Sequence, residues 1–279
     1  MREEIESKFH GYEVPQQIYQ LIDLEEKLNK RRLSLSQIGF SPDFEQNFYS
    51  ITPPDFIPFA STGGDGICFG FLTDFGIYKD LTEAPVVCVT PTNDPPLRLV
   101  ARNLREFLNI AYSVPFVELL EMFWEFEKAE QVQEVLTEVE KDTGFLVKRN
   151  RGKIFRALQQ TFQLEKIDVL DYLKTVKRER EQSIIIPTMD GLGVACPDIP
   201  FISYNKYAFN LEAGISDSEL ERMKNFIKKA NKLEKLAFVR DANYRYILTK
   251  SDDWAVLELV IDLLESLSLF CEAKVMEGE

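Results

Sequence analysis

A chain of 279 residues, 45% hydrophobic and 28% charged, is normal for a soluble globular protein and long enough for one large domain or two ordinary ones. Its formal net charge of −13 argues against nucleic acid and anionic membranes as partners, and at low salt it draws in basic ones. One histidine, His10, and four cysteines without a CxxC pair (Cys68, Cys88, Cys196, Cys271) make neither a zinc site nor a cofactor the expectation.

The first 14 residues lack the apolar run of a secretory signal. The most apolar helical stretch, residues 256–270, is interrupted by Glu258, Asp262 and Glu265, so it does not read as a bilayer span. A cytoplasmic location is the expectation. Ile18, Leu21, Ile22, Leu24 and Leu28 then recur at helical spacing, with Pro15 suited to the first turn. Residues 33–53 read as a loop-rich connection. Residues 56–60 are apolar, and Gly63-Gly64-Asp65-Gly66 breaks the run before a strand over 67–72. Val86 to Thr90 is a further β-branched strand. Thr90 to Pro96 is a turn-rich loop, after which Leu97, Val100, Ala101, Leu104, Phe107, Leu108 and Ala111 carry the spacing of a buried helical stripe.

Residues 116–141 resume a helical pattern, as one surface helix or two, with glutamates from Glu118 to Glu140 on the outer side. The basic cluster at 148–153 marks a domain boundary, and another helix, unbroken or broken once, follows over 154–180. Beyond 183 the pattern predicts a strand over 183–187, a turn at Asp190-Gly191 and a strand over 207–211. A helix follows from a Ser216–Glu219 capping box. A hairpin of residues 235–240 and 244–249 and a last helix capped by Ser251 complete the chain.

Candidate chemistry is sparse. The glycine-Asp segment lacks GxxxxGK[ST] and GxGxxG and precedes strand-like sequence, so it reads as a turn needing positive φ rather than as a phosphate cradle. No GxSxG occurs, and a triad would have to recruit His10 from a polar, frayed N-terminal segment. Asp65, Asp74 and Asp80 are the acids to inspect for a carboxylate pair of hydrolase type, although turn roles suffice for each. The glutamate face is ordinarily a solvated surface; its functional alternative is a dock for a basic protein, with Trp124 as an anchor and Phe123 in the core.

With these pieces in order, the first half resembles the SUKH superfamily of cell-wall-assembly-regulator-like and bacterial immunity proteins. The matching features are the helix opening Val14-Pro15-Gln16-Gln17-Ile18-Tyr19, and Phe56-Ile57-Pro58-Phe59-Ala60 leading into Gly64-Asp65-Gly66. The strand ending near Asp74, the strand at Pro85-Val86-Val87 and the helix at residues 101–108 complete the series, which spans roughly residues 13–113. Nothing after about residue 140 takes part. The resemblance implies an α+β fold, a mixed sheet flanked by helices, that acts by binding. Residues 1–147 would form that domain with its acidic helix, 148–182 a helical connection, and 183–279 a second small α+β domain. The function implied is a non-enzymatic immunity protein that neutralises a basic toxin domain, such as a nuclease. The expected surface comprises Thr62, Gly64, Asp65, Asp74, Asn93, Asp94, Glu118, Glu121, Trp124 and Glu125. The alternatives are a structural or regulatory scaffold acting through the C-terminal domain, and a carboxylate-dependent hydrolase.

Overall fold

In the computed structural model, which describes residues 2–45, 49–195, 203–211, 214–248 and 254–277, the elements fall into two units. The first unit holds residues 1–47, 57–73 and 78–179, and the second 48–56, 74–77 and 180–279. The architecture is α+β, with eleven helices, a five-stranded sheet and a two-stranded sheet among the described residues.

The first unit opens with α1 (Arg2–Ser7) and α2 (Gln16–Asn29), whose Ile18, Leu21, Leu24 and Leu28 are buried as the sequence predicts. Ile5 and Phe9 are buried too, so the N-terminal segment is anchored by its apolar side chains rather than frayed. A 3-10 turn, Leu35–Ile38, is capped by Ser34 and closed by Gly39 at φ +67°. The large sheet has the order β1 (Ser41–Pro42), β2 (Phe56–Ser61), β3 (Cys68–Leu72), β4 (Val86–Val89) and β5 (Leu97–Ala101). The pairs β1–β2, β3–β4 and β4–β5 are antiparallel, so the sheet is antiparallel where a mixed one was expected. Sequential strands lie side by side, so the topology needs no crossover. Every residue of β4 and β5 is buried, which accounts for their apolar runs.

β5 takes the first five residues of the segment expected as one helix. Only α3 (Leu104–Ser113) is helical, started by Asn103, whose side chain accepts from Glu106 N at 2.9 Å. Phe107 on α3 anchors the core, with ring centroids 5.0 Å from Phe69, 5.4 Å from Phe59 and 5.8 Å from Phe40. The glutamate-rich stretch forms α4 (Leu119–Phe123) and α5 (Ala129–Asp142). Then come α6 (Phe145–Phe162) and α7 (Val169–Ser183). Ile154, Leu158, Leu164, Val169 and Leu173 join the first core, so residues 148–179 belong to the first unit instead of linking two domains.

In the second unit, β6 (Ile184–Ile186) and β7 (Val194–Ala195) pair antiparallel across the expected Asp190-Gly191 turn. Gly193 stands at φ +65°, where an added Cβ would lie 2.6 Å from Ile184. Residues 207–211 are irregular rather than a strand; Tyr207 and Phe209 stack into an aromatic cluster with Phe226 and Phe238. Ser216 caps α8 (Asp217–Lys229) by accepting from Glu219 N, but the reciprocal half of the expected box is absent. The Glu219 carboxylate turns to the Tyr207 hydroxyl at 2.7 Å and to Arg222.

The expected hairpin is one helix, α9 (Lys232–Tyr244), with a complete capping box between Asn231 and Glu234. It is buried on nearly all sides, so its sequence shows no amphipathic stripe, and the tertiary setting overrides the β-propensity of Phe238 and Val239. The chain ends with α10 (Trp254–Ser266) and α11 (Phe270–Glu277). Ser251 and Cys196 lie outside the described residues.

Candidate functional site

Four of the expected surface acids gather on one face of the first unit. The β2–β3 connection folds back through Thr62, whose amide donates to Ile67 O at 3.0 Å and whose hydroxyl donates to Gly64 O at 3.0 Å. Gly63, Asp65 and Gly66 all have positive φ, so the glycines serve the turn and leave Asp65 exposed at its tip. Across from it, the N-terminus of α4 is fixed by Val117 N donating to Ile38 O at 2.9 Å, which sets Glu118 beside Gly39. Partial burial, and then the negative charge of Asp65, push the Glu118 carboxyl above its usual range. The two acids therefore lie close enough to repel.

One helical turn on, Glu121 accepts a hydrogen bond from Asn93 Nδ2 and so ties α4 to the β4–β5 loop. That loop is closed by Thr90 N donating to Pro96 O at 2.8 Å, and it leaves Asn93 and Asp94 exposed. Behind the glutamates lies Arg98 of β5, fully buried, whose guanidinium donates to Thr90 Oγ1 and Glu125 and stands 3.9 Å from Glu121. Trp124 closes over this cation, its ring centroid 5.9 Å from the Arg98 guanidinium and 4.1 Å from Lys177 Nζ, and its indole N–H donates to Leu99 O at 3.1 Å. Met122 lies 45% exposed among the acids and offers an adaptable apolar contact. The arrangement is an acidic rim, with Glu121 and Glu125 held on the buried Arg98, suited to receiving lysine or arginine side chains.

Arg98, Lys177 and Met122 did not emerge from the sequence reading. The signal for Arg98 was a lone cation inside an apolar strand run, Leu97-Arg98-Leu99-Val100, since a buried arginine needs carboxylates nearby. Asp74 does not belong to this surface. It is 4% exposed in the second unit and is held by a bidentate pair with Arg180, at 2.6 and 2.7 Å. Closed in this way, it offers no free carboxylate to a hydrolytic pair with Asp65. Asp80 is committed to its own turn, accepting from Thr82 N and Oγ1, and these bonds lower its pKa.

Asp74 is part of a buried ionic cluster in the second unit. Arg240, fully buried, donates to Asp55 at 2.7 Å, Asp190 at 3.3 Å and Asp74 at 3.4 Å, with the Phe75 ring 4.9 Å from its guanidinium. Burial first, and the carboxylates of Asp74, Glu272 and Asp190 in addition, push Asp55 up to about 7 against the opposing pull of Arg240. The thiols of half-buried Cys68 and buried Cys88 are likewise raised by burial, Cys68 to about 12, which keeps them unreactive. Among the described residues no group of three or more His, Cys, Asp or Glu is disposed to hold a metal ion, and no helix is long and apolar enough to cross a membrane.

Comparison with protein-family models and with curated proteins gives no match to this chain.

Proposed function

We propose that this chain is a non-enzymatic protein-binding module of the SUKH type, an immunity protein that docks on a basic toxin domain and neutralises it. The observation that carries this reading is that Asp65 of the β2–β3 turn faces Glu118, while Glu121 and Glu125 of the same glutamate-rich stretch gather on the buried Arg98. Burial first, and then repulsion from Asp65, raises Glu118, and a cationic side chain entering between the two acids relieves the second of these. The net charge of −13 adds long-range attraction that speeds encounter with a basic partner at low salt. A cytoplasmic location accords with a protein that protects the cell making the toxin.

The test is co-purification of the tagged chain with the product of the neighbouring gene at low and high salt, followed by association kinetics. A stoichiometric complex weakened by salt is expected, and Glu118→Lys with Glu121→Lys should slow association roughly 10-fold or more at low salt. No complex at either salt, or an association rate indifferent to the double substitution, would remove the support for this surface.

A further inference from the structure

On the α5–α6 side of the first unit, two complementary rows of charge flank an apolar turn. Along α5, Glu130, Glu134 and Glu138 follow one another at four-residue spacing and are all exposed. Along α6, Arg149, Lys153 and Arg156 follow at spacings of four and three and are likewise exposed. None of these six side chains makes an ion pair or hydrogen bond to another described residue, whereas neighbouring Glu140 is engaged by Arg151 and Lys148. Each row sets like charges one turn apart, which weakens the helix that carries it unless opposite charge arrives from outside. Between the rows, at the start of α6, Phe145 is 82%, Leu146 64% and Val147 42% exposed.

Gly152 sits on the same line of α6 as Phe145 and Arg156, seven residues from the one and four from the other. A Cβ there would meet nothing within 4 Å, so no contact inside the chain requires a glycine in mid-helix. Its absent side chain leaves room for another helix to approach closely.

We propose that this face is a two-fold interface with a second copy of this chain. Laid antiparallel, α6 of one copy brings Arg149, Lys153 and Arg156 opposite Glu138, Glu134 and Glu130 of α5 in the other. The rows match in length, about 10 and 12 Å at 1.5 Å per residue. In that register the two α5–α6 turns meet at the axis, and Phe145 and Leu146 of each copy cover one another. The result is an apolar centre flanked by ion pairs on both sides, the usual anatomy of a specific interface. Two helices of 14 and 18 residues offer on the order of 500 Å² per copy, about 1,000 Å² in total, which is enough for a specific dimer. At physiological salt a Debye length of about 8 Å screens the repulsion between two acidic copies while contact pairs survive.

The experiment is sedimentation of the full chain, without any partner, up to about 100 µM, a range that captures micromolar dimers. The wild-type chain should be a dimer. Glu130→Lys, Glu134→Lys and Glu138→Lys together should give a folded monomer, as should Arg149→Glu, Lys153→Glu and Arg156→Glu together, folding being checked by circular dichroism. Mixing the two variants should restore a dimer, because each row then faces its opposite in the heterodimer and not in either homodimer. A wild-type chain that stays monomeric over the range overturns the proposal. So does a dimer indifferent to both triple substitutions, or two folded monomeric variants that fail to associate when mixed.

Discussion

Asp55 gives the second unit a pH dependence with a definite sign. Its pKa is raised from 3.8 to about 7 by burial, so the folded state holds the proton more tightly than the unfolded chain. The stability this contributes is complete below about pH 4 and is lost as pH rises through about 7. A proton on Asp55 also balances the three aspartates of the cluster against Arg180 and Arg240. Urea titrations at several pH values should therefore show the wild-type second unit losing more stability between pH 4.5 and 7.5 than Asp55→Asn, by a few kcal/mol as an order of magnitude. Equal losses in the two proteins would place the proton elsewhere. Arg240→Met removes the cation and leaves the carboxylates buried together, and should cost about 3–5 kcal/mol in the same titration at neutral pH. Gly193→Ala meets both a left-handed φ and the Ile184 side chain, and should lower the melting temperature of the second unit by several degrees, roughly 1–3 kcal/mol.

At the scale of elements, α9 makes the clearest prediction. If Asn231 starts a helix, Asn231→Ala should cost about 1 kcal/mol and lower the helical signal on heating, whereas a residue preceding a strand would be neutral. The same helix shows where reading the sequence stops. α2 was legible because one face is buried and the other wet, which writes a 3.6-residue period into the chain. The helix α9 is buried nearly all round, so no period is written, and its aromatic and β-branched residues spoke for strands. The strand β5 failed the opposite way: its run of buried residues continues into α3, and the apolar spacing of the two together imitated one helical stripe. Of the surface site, the glycine turn and the glutamates of α4 were legible as local chemistry, and so was the polar loop at Asn93. The buried Arg98 that organises them was not, because its carboxylates come from a helix more than 20 residues away. Asp74 was misplaced for the same reason, since its partners Arg180 and Arg240 lie 106 and 166 residues further along.

At the scale of the whole molecule, the second unit is discontinuous, drawing residues 48–56 and 74–77 from within the span of the first. A fragment beginning at Arg180 supplies both buried arginines but only Asp190 of their three aspartates. Such a fragment should not fold, and its circular dichroism should show no cooperative melting; a sharp transition would show that Asp55 and Asp74 are dispensable. The discontinuity also sets a schedule for synthesis. Asp55 leaves the ribosome 185 residues before Arg240, a wait of roughly 10–40 s at about 5–20 residues per second. For most of that interval the nascent chain carries Asp55 and then Asp74 in loops kept in water by their own carboxylates, Arg180 arriving 106 residues after Asp74 and Arg240 later still. They lose that solvent late, when Arg180 and then Arg240 arrive to enclose them and to pair with their carboxylates.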